Sequence, residues 1–239
     1  MLYLQEKYWL EFYVDFISVF AGSKGIALTV DELYDYIFDL EFLQEDAEDI
    51  FGEKLSNIIK AFEYMRELVA RGYENASYGQ KYSTFELKDL EKLYKIYDPS
   101  LKYIDVFEKN SLTGFKLISS LESATSDLYK DTELRSLSEN MLYSYVEFLM
   151  LNAFGEFTLD IAWILAQSML VFKGFGFFVF TDRNTIFEYI KISNELCIEL
   201  KNVKKSEWIL NKKFNYLISE LVNASESYSN KNLGFKKSK

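Results

Sequence analysis

The residues best placed for chemistry lie in one short stretch, Leu151-Asn152-Ala153-Phe154-Gly155-Glu156-Phe157-Thr158-Leu159-Asp160. It joins two apolar helical runs, Met141–Met150 and Ile161–Phe172. Loops at helix junctions commonly carry catalytic side chains on a rigid scaffold. Glu156 and Asp160 could act as bases, and Glu156 could share in holding a divalent cation. Asn152 has an amide with no usable pKa, so it offers hydrogen bonds and no proton transfer.

The rest of the chain adds little chemistry. There is no histidine among 239 residues, which removes the imidazole base, the Ser/Cys triads built on it and the commonest zinc ligand. The single cysteine, Cys197, falls in a helical pattern. Without a histidine to activate it, it reads as a packing residue rather than a nucleophile. A lone cysteine makes no internal disulfide, which fits a reducing, cytoplasmic location. No phosphate-binding glycine loop, dinucleotide fingerprint or calcium loop is present. No metal ligand set and no cofactor site is expected.

Charge is unevenly spread. The net charge is −10, and residues 31–53 hold ten acids with no Lys or Arg: Asp31, Glu32, Asp35, Asp39, Glu41, Glu45, Asp46, Glu48, Asp49 and Glu53. Such a block repels phosphate backbones and disfavours nucleic acid as a partner. It could meet a basic protein or mimic DNA, although a solvated helix face is the commoner origin of such a run. Residues 201–239 carry nine Lys against three Glu. Lys201, Lys204, Lys205, Lys212 and Lys213 could hold an anion, but lysines at a helix end also simply suit its dipole. The tail beyond residue 222 has little to bury and is expected to be disordered.

The elements that must position the loop are helical. Pro occurs once and Gly ten times, a scarcity that favours long helices. Hydrophobic residues make up 49% and aromatics 18%, ample for a packed core. The aromatic excess fits an AT-rich genome; an aromatic-lined binding surface is the alternative. We expect an all-α chain with a single domain over residues 1–222 and a basic tail over 223–239. Residues 3–21 form an amphipathic helix ending at Gly22–Gly25. Thr29-Val30-Asp31-Glu32 is a capping box that opens a helix to about Leu43. A helix over Glu53–Arg71 stops at Gly72, and Ser83-Thr84-Phe85-Glu86 opens another to about Tyr97. Residues 100–128 alternate loosely and suggest a small β-hairpin flap. Helices follow over 140–153, 159–172, 181–200 and 206–222, with Thr181 and Ser206 as N-caps. Phe177–Phe180 reads as a short buried extended piece between them. The apolar run 161–181 is about long enough to cross a bilayer. Lys173, Gly174 and Gly176 interrupt it, so a buried core helix is expected and no membrane. The N-terminus lacks a basic region, and Glu6, Glu11 and Asp15 interrupt its apolar run, unlike a signal peptide.

This order of elements resembles the Fic (Fido) family of nucleotidyl transferases over about residues 17–195. Ile17-Ser18-Val19-Phe20-Ala21-Gly22 lies where that family often has an inhibitory Ser/Thr-x-x-x-Glu-Gly/Asn helix. Ala27-Leu28-Thr29 resembles the following leucine-threonine helix start. Glu53, Asn57 and Ala61 keep the Glu, Asn, Ala spacing of the next family helix. Thr113-Gly114-Phe115-Lys116 lies where the target-docking flap would be. The family signature His-Pro-Phe-x-Asp/Glu-Gly-Asn-Gly-Arg-x-x-Arg falls on Asn152 through Trp163. Asp182-Arg183 with Phe187-Glu188-Tyr189 is similar to the start of the helix that follows.

The resemblance implies the family's layout without its chemistry. The signature histidine, a general base, is Asn152. The Gly-Asn-Gly phosphate nest is Phe157-Thr158-Leu159, and the two arginines are Asp160 and Trp163. Only Phe154 and Glu156 match. Glu156 stands at the family's Mg²⁺ ligand, but a lone carboxylate holds Mg²⁺ poorly, and an acid at a helix N-terminus has a dipole reason to be there. Asp160 is expected to repel nucleotide, and the inhibitory Glu is replaced by Ala21. The expected function is that of a catalytically inactive Fic-like protein that binds another protein. Asp31, Asp35, Asp39, Glu45, Asp46, Phe115 and Lys116 would form the contact. A regulator or inhibitor in a toxin or host-defence setting, of bacterial, phage or mobile-element origin, is implied. Two other readings stay open: an enzyme with a rebuilt pocket using Glu156 or Asp160 as base, and an acidic DNA mimic.

Overall fold

The computed structural model describes residues 6–38, 47–78, 86–130, 132–178 and 183–232. Among these residues every regular element is a helix and no strand occurs. Ten α-helices follow in order: α1 (Glu6–Ser23), α2 (Val30–Phe38), α3 (Ala47–Phe51), α4 (Glu53–Ser77), α5 (Leu87–Tyr97), α6 (Leu112–Lys130), α7 (Leu134–Leu151), α8 (Thr158–Phe172), α9 (Arg183–Leu200) and α10 (Lys212–Asn232). Short 3-10 turns cover Ile104–Phe107, Gly155–Phe157 and Lys205–Leu210.

Helix α8 is the axis of the bundle. From Ile161 to Val171 every residue is buried, so it lacks the polar stripe of a surface helix. Helices α7 and α4 pack along it and α5 touches it; α6 lies outside α7, and α1 packs on α2, α4 and α9. The apolar window Gly155–Phe172 is long enough to cross a membrane, and 78% of it is buried inside the bundle. Its neighbours in the fold thus do what lipid would otherwise do. An aromatic cluster fills the space between α1 and α4, where Trp9, Phe12 and Phe62 are essentially inaccessible. Phe62 meets Trp9 edge-on at 6.2 Å and Tyr13 at 4.6 Å. Each such ring contributes roughly 1.5–3 kcal/mol by leaving water.

The Thr29 capping box is formed. Glu32 N–H donates to Thr29 Oγ1 at 3.2 Å, and Thr29 N–H donates back to the Glu32 carboxylate at 3.0 Å. Several expected boundaries move. Gly72 does not end α4, which continues to Ser77. A helical glycine costs only about 1 kcal/mol, and Gly72 is buried with Leu68 and Val69 in the same core-facing stretch. Helix α5 starts behind Glu86, whose N–H donates to Asp89 Oδ2 at 2.7 Å; Ser83, Thr84 and Phe85 lie outside the described residues. The N-cap of α10 is Asn211 rather than Ser206, its Oδ1 accepting the N–H groups of Lys213 at 2.8 Å and Phe214 at 3.2 Å. Ser206 sits instead in the preceding 3-10 turn. Thr181, the expected cap of α9, is outside the described residues.

Two expectations are overturned. The β-hairpin flap is absent: the 3-10 turn Ile104–Phe107 and α6 take its place. Ser111 caps α6, its Oγ accepting Gly114 N–H at 3.0 Å. Leu117, Leu121, Ala124 and Leu128 then bury at helical spacing. Gly114 is needed because a Cβ there would run into the carbonyl of Val106. Second, the ordered part does not stop at residue 222, since α10 runs to Asn232; the remainder of the expected tail, residues 233–239, lies outside the described residues. Tyr228 is buried and meets Phe12 edge-on at 5.6 Å. Ser229 Oγ accepts Gly176 N–H at 3.0 Å, and Ser225 Oγ donates to the Gly176 carbonyl. That anchoring also holds Phe177 and Phe178, the described part of the expected extended piece, both buried, with the Phe178 carbonyl accepting Gln167 Nε2 at 2.9 Å.

Candidate functional site

The loop between α7 and α8 is built from its own side chains. Asn152 ends α7 in the left-handed region, φ 43° and ψ 40°, with its N–H shared between the carbonyls of Phe148 and Leu149 at 3.2 Å each. Asparagine tolerates that conformation better than most residues. Phe154 is wholly inaccessible and lies between Tyr94 (ring centroids 5.1 Å apart) and Phe107 (5.7 Å). Gly155 follows at φ 53°, and the Tyr103 hydroxyl fills the space where a Cβ would be. Thr158 Oγ1 accepts Phe154 N–H at 3.0 Å and donates to Asn152 Oδ1 at 3.4 Å. Thr158 is therefore spent on closing the loop, and the backbone turns straight into α8.

Asp160 stands in the first turn of α8, a favourable place for an acid. Its carboxylate is buried, with a side-chain exposure of 7%, and Lys24 Nζ bonds it at 2.5 Å. Burial raises the Asp160 pKa and the Lys24 charge opposes the rise. Asp160 was expected to present bare negative charge to a nucleotide; the structure pairs it instead. The ammonium comes from the turn after α1, where Ile26 N–H and Lys24 N–H both donate to Ala21 O at 3.0 Å. The Tyr97 hydroxyl, buried and without a hydrogen-bond partner, is pushed well above its usual pKa, by burial first and then by the charge of Asp160.

These groups border a cleft of about 570 Å³. Lys24, Tyr97, Lys102, Glu156, Phe157 and Asp160 all line it. Helix α4 supplies Glu53 and Asn57, so the spaced residues of that helix do face the loop, while Ala61 is buried in the core. Glu156 and Asn152 are exposed. Asp98 also lines the cleft but is internally satisfied. Burial opposes its ionisation, yet hydrogen bonds from the Ser100 hydroxyl, from Tyr94 Oη at 2.6 Å and from Lys102 N–H at 2.9 Å hold it below the usual carboxylate range. Among the described residues no group of three or more His, Cys, Asp or Glu could hold a metal ion. Cys197 is partly buried against the core, and burial pushes its thiol up to about 11.

The expected partner-binding residues divide. Asp31 and Asp35 are exposed on α2; Asp39, Glu45 and Asp46 lie outside the described residues. Phe115 and Lys116 stand on α6, where they border a second groove of about 470 Å³ with Met150, Leu151, Lys205 and Trp208. Lys205 pairs with Glu147 at 2.8 Å across this groove, and Ser120 Oγ donates to the same carboxylate at 2.8 Å. Sequence reasoning missed Lys24, Tyr97 and Lys102. Lys24 sits in a glycine-flanked turn, and nothing in its neighbourhood announces a carboxylate 136 residues away. Tyr97 carried only the phase of an ordinary core residue.

No protein-family model matches the chain, nor does any curated protein or solved structure. Fold and site thus define an all-α domain whose central helix opens on a self-closed loop beside a mixed-charge cleft.

Proposed function

We propose that the chain works by binding another protein and performs no nucleotide transfer. One observation carries this reading: the loop Asn152–Asp160 is consumed by structure. Asn152 ends a helix, Phe154 fills an aromatic stack, Thr158 closes the turn, and Asp160 is buried against Lys24. A general base must reach its proton at hydrogen-bond distance with a usable pKa, and Glu156 alone of the four expected loop residues is both exposed and ionisable. The resemblance to the Fic family supports the same reading. The positions where that family keeps its base, its phosphate nest and its first arginine are taken up by turn structure and packing. What remains for interaction is surface: the acidic face of α2 and the groove beside Phe115. A regulator or inhibitor of a toxin or defence protein is the role that suits such surfaces.

The test is calorimetric titration of the full chain with ATP and Mg²⁺, together with a transfer assay using labelled ATP. No heat of binding up to millimolar nucleotide and no labelled protein is the expected result. Micromolar affinity or label transfer overturns the reading. The buried Tyr97 hydroxyl beside Asp160 favours one alternative, an enzyme with a rebuilt cleft. Glu156→Ala with Asp160→Asn in a folded protein that keeps its biological effect would end that alternative.

A further inference from the structure

The two surfaces left for interaction are complementary to each other. Helix α6 turns Leu112 and Phe115 outward, each 69% exposed. Behind Phe115, the groove of about 470 Å³ has Met150, Leu151 and Trp208 as its apolar lining. Lys116 and Lys205 stand in that lining, and Lys201 and Lys204 lie exposed in the segment leading to Lys205. Glu147, the one acid of the lining, is engaged by Lys205 and Ser120. Ser119, Ser120 and Ser123 complete the lining, so the groove is part apolar and part polar; with Lys205 paired to Glu147, the charge left in the lining is the positive one of Lys116, on a chain whose net charge is −10.

Helix α2 offers the opposite shape and charge. Its outer face carries Val30 at 54% and Tyr34 at 49% exposure, four residues apart and thus on one side. Asp31 and Asp35 flank them, both exposed, and Val30–Phe38 contains no Lys or Arg. Nine residues of helix are about 13 Å long, suited to lie along a groove. The rest of so acidic a molecule repels its own kind, whereas a groove carrying Lys116 attracts an acidic helix.

We propose that a second copy of this chain is the occupant: α2 of one molecule lies in the Phe115 groove of the next. This rests on the reading of the chain as a binding protein and names one of its partners. The contact joins two different patches: two copies that exchange α2 reciprocally close as a two-fold dimer, and a one-way contact builds short chains or a ring. Its charge component weakens as salt rises, because its charged groups are exposed.

Sedimentation velocity on the full chain tests it. Wild-type protein should shift to larger species between about 1 and about 200 µM, the range of modest contacts, and shift less in high salt. Phe115→Asp spoils the groove and leaves α2 intact; Asp31→Lys with Asp35→Lys spoils the ridge and leaves the groove intact. Each variant alone should stay monomeric with an unchanged helical circular dichroism spectrum. Mixed together, they should form one-to-one dimers, since one supplies a good ridge and the other a good groove. That mixing result also shows that both variants are folded. A wild-type chain that stays monomeric throughout, a variant that still assembles alone, or a mixture that fails to pair overturns the proposal. The titration with ATP is a separate experiment, so self-association can fail while the absence of nucleotide binding stands, and the reverse.

Discussion

Removing Lys24 isolates a buried charge, and the consequence is calculable. Asp160 has a side-chain exposure of 7%, while Lys24 retains 34%. Deleting one partner of a buried ion pair costs about 3–5 kcal/mol when both are desolvated. Lys24 is a third exposed, so solvent already screens part of the attraction, and Lys24→Met should lose roughly 2–3 kcal/mol at neutral pH. For a chain of this length that lowers Tm by roughly 5–10 °C. The pH dependence fixes the mechanism. The folded-state pKa of Asp160 is raised by burial, so the folded protein holds that proton to higher pH than the unfolded chain does. Stability from this group therefore falls as pH rises from the unfolded carboxyl value of about 4 through the folded one. Lys24→Met removes the charge that opposes the rise, which moves the folded pKa up and extends the loss to higher pH. The gap between variant and wild type should widen from acid to neutral pH. Asp160→Asn in the Lys24→Met background removes the stranded charge and should recover most of the loss, a coupling of at least about 1 kcal/mol in the cycle. Urea unfolding of the four proteins at two pH values measures this. A Lys24→Met variant as stable as wild type at neutral pH, or a double variant no better than the single, refutes the argument.

Two further outcomes follow from packing. Phe154→Ala empties a site enclosed by Tyr94 and Phe107 and should lose about 3–5 kcal/mol in urea unfolding, with the loss falling on stability because the buried ring lines neither the cleft nor the groove described above. Cys197, with its thiol pushed up to about 11 by burial, holds only about one thiolate in a thousand near pH 8; iodoacetamide should leave it unmodified in native protein and label it at once in urea, as mass spectrometry would read.

The helices were legible where local signals and core phase agree. The Thr29 box and the apolar phase of α4 each predicted what formed. The flap was misread because Thr113-Gly114 looks like a turn, when Gly114 is a concession to the Val106 carbonyl lying against a helix. The tail was misread because residues 223–232 look polar along the chain. Their few packing groups, Ser225, Tyr228 and Ser229, meet Gly176 and Phe12 only once the bundle is closed. The same limit hid Lys24 and Tyr97. Long-range pairs leave no periodicity, so the loop could be located from sequence while its neutralisation by Lys24 could not.

Under the proposed function, that neutralisation changes how a phosphate would be excluded. A bare aspartate at the start of α8 would act through repulsion that salt weakens. The paired Asp160 acts differently: the first turn of the helix already has its acid, and the acid already has its cation. An entering anion would have to displace Asp160 from Lys24 and leave a carboxylate buried alone beside Tyr97. Exclusion by a satisfied pair should weaken less in high salt than repulsion by a bare carboxylate, because Asp160 is nearly inaccessible and only Lys24 is partly screened.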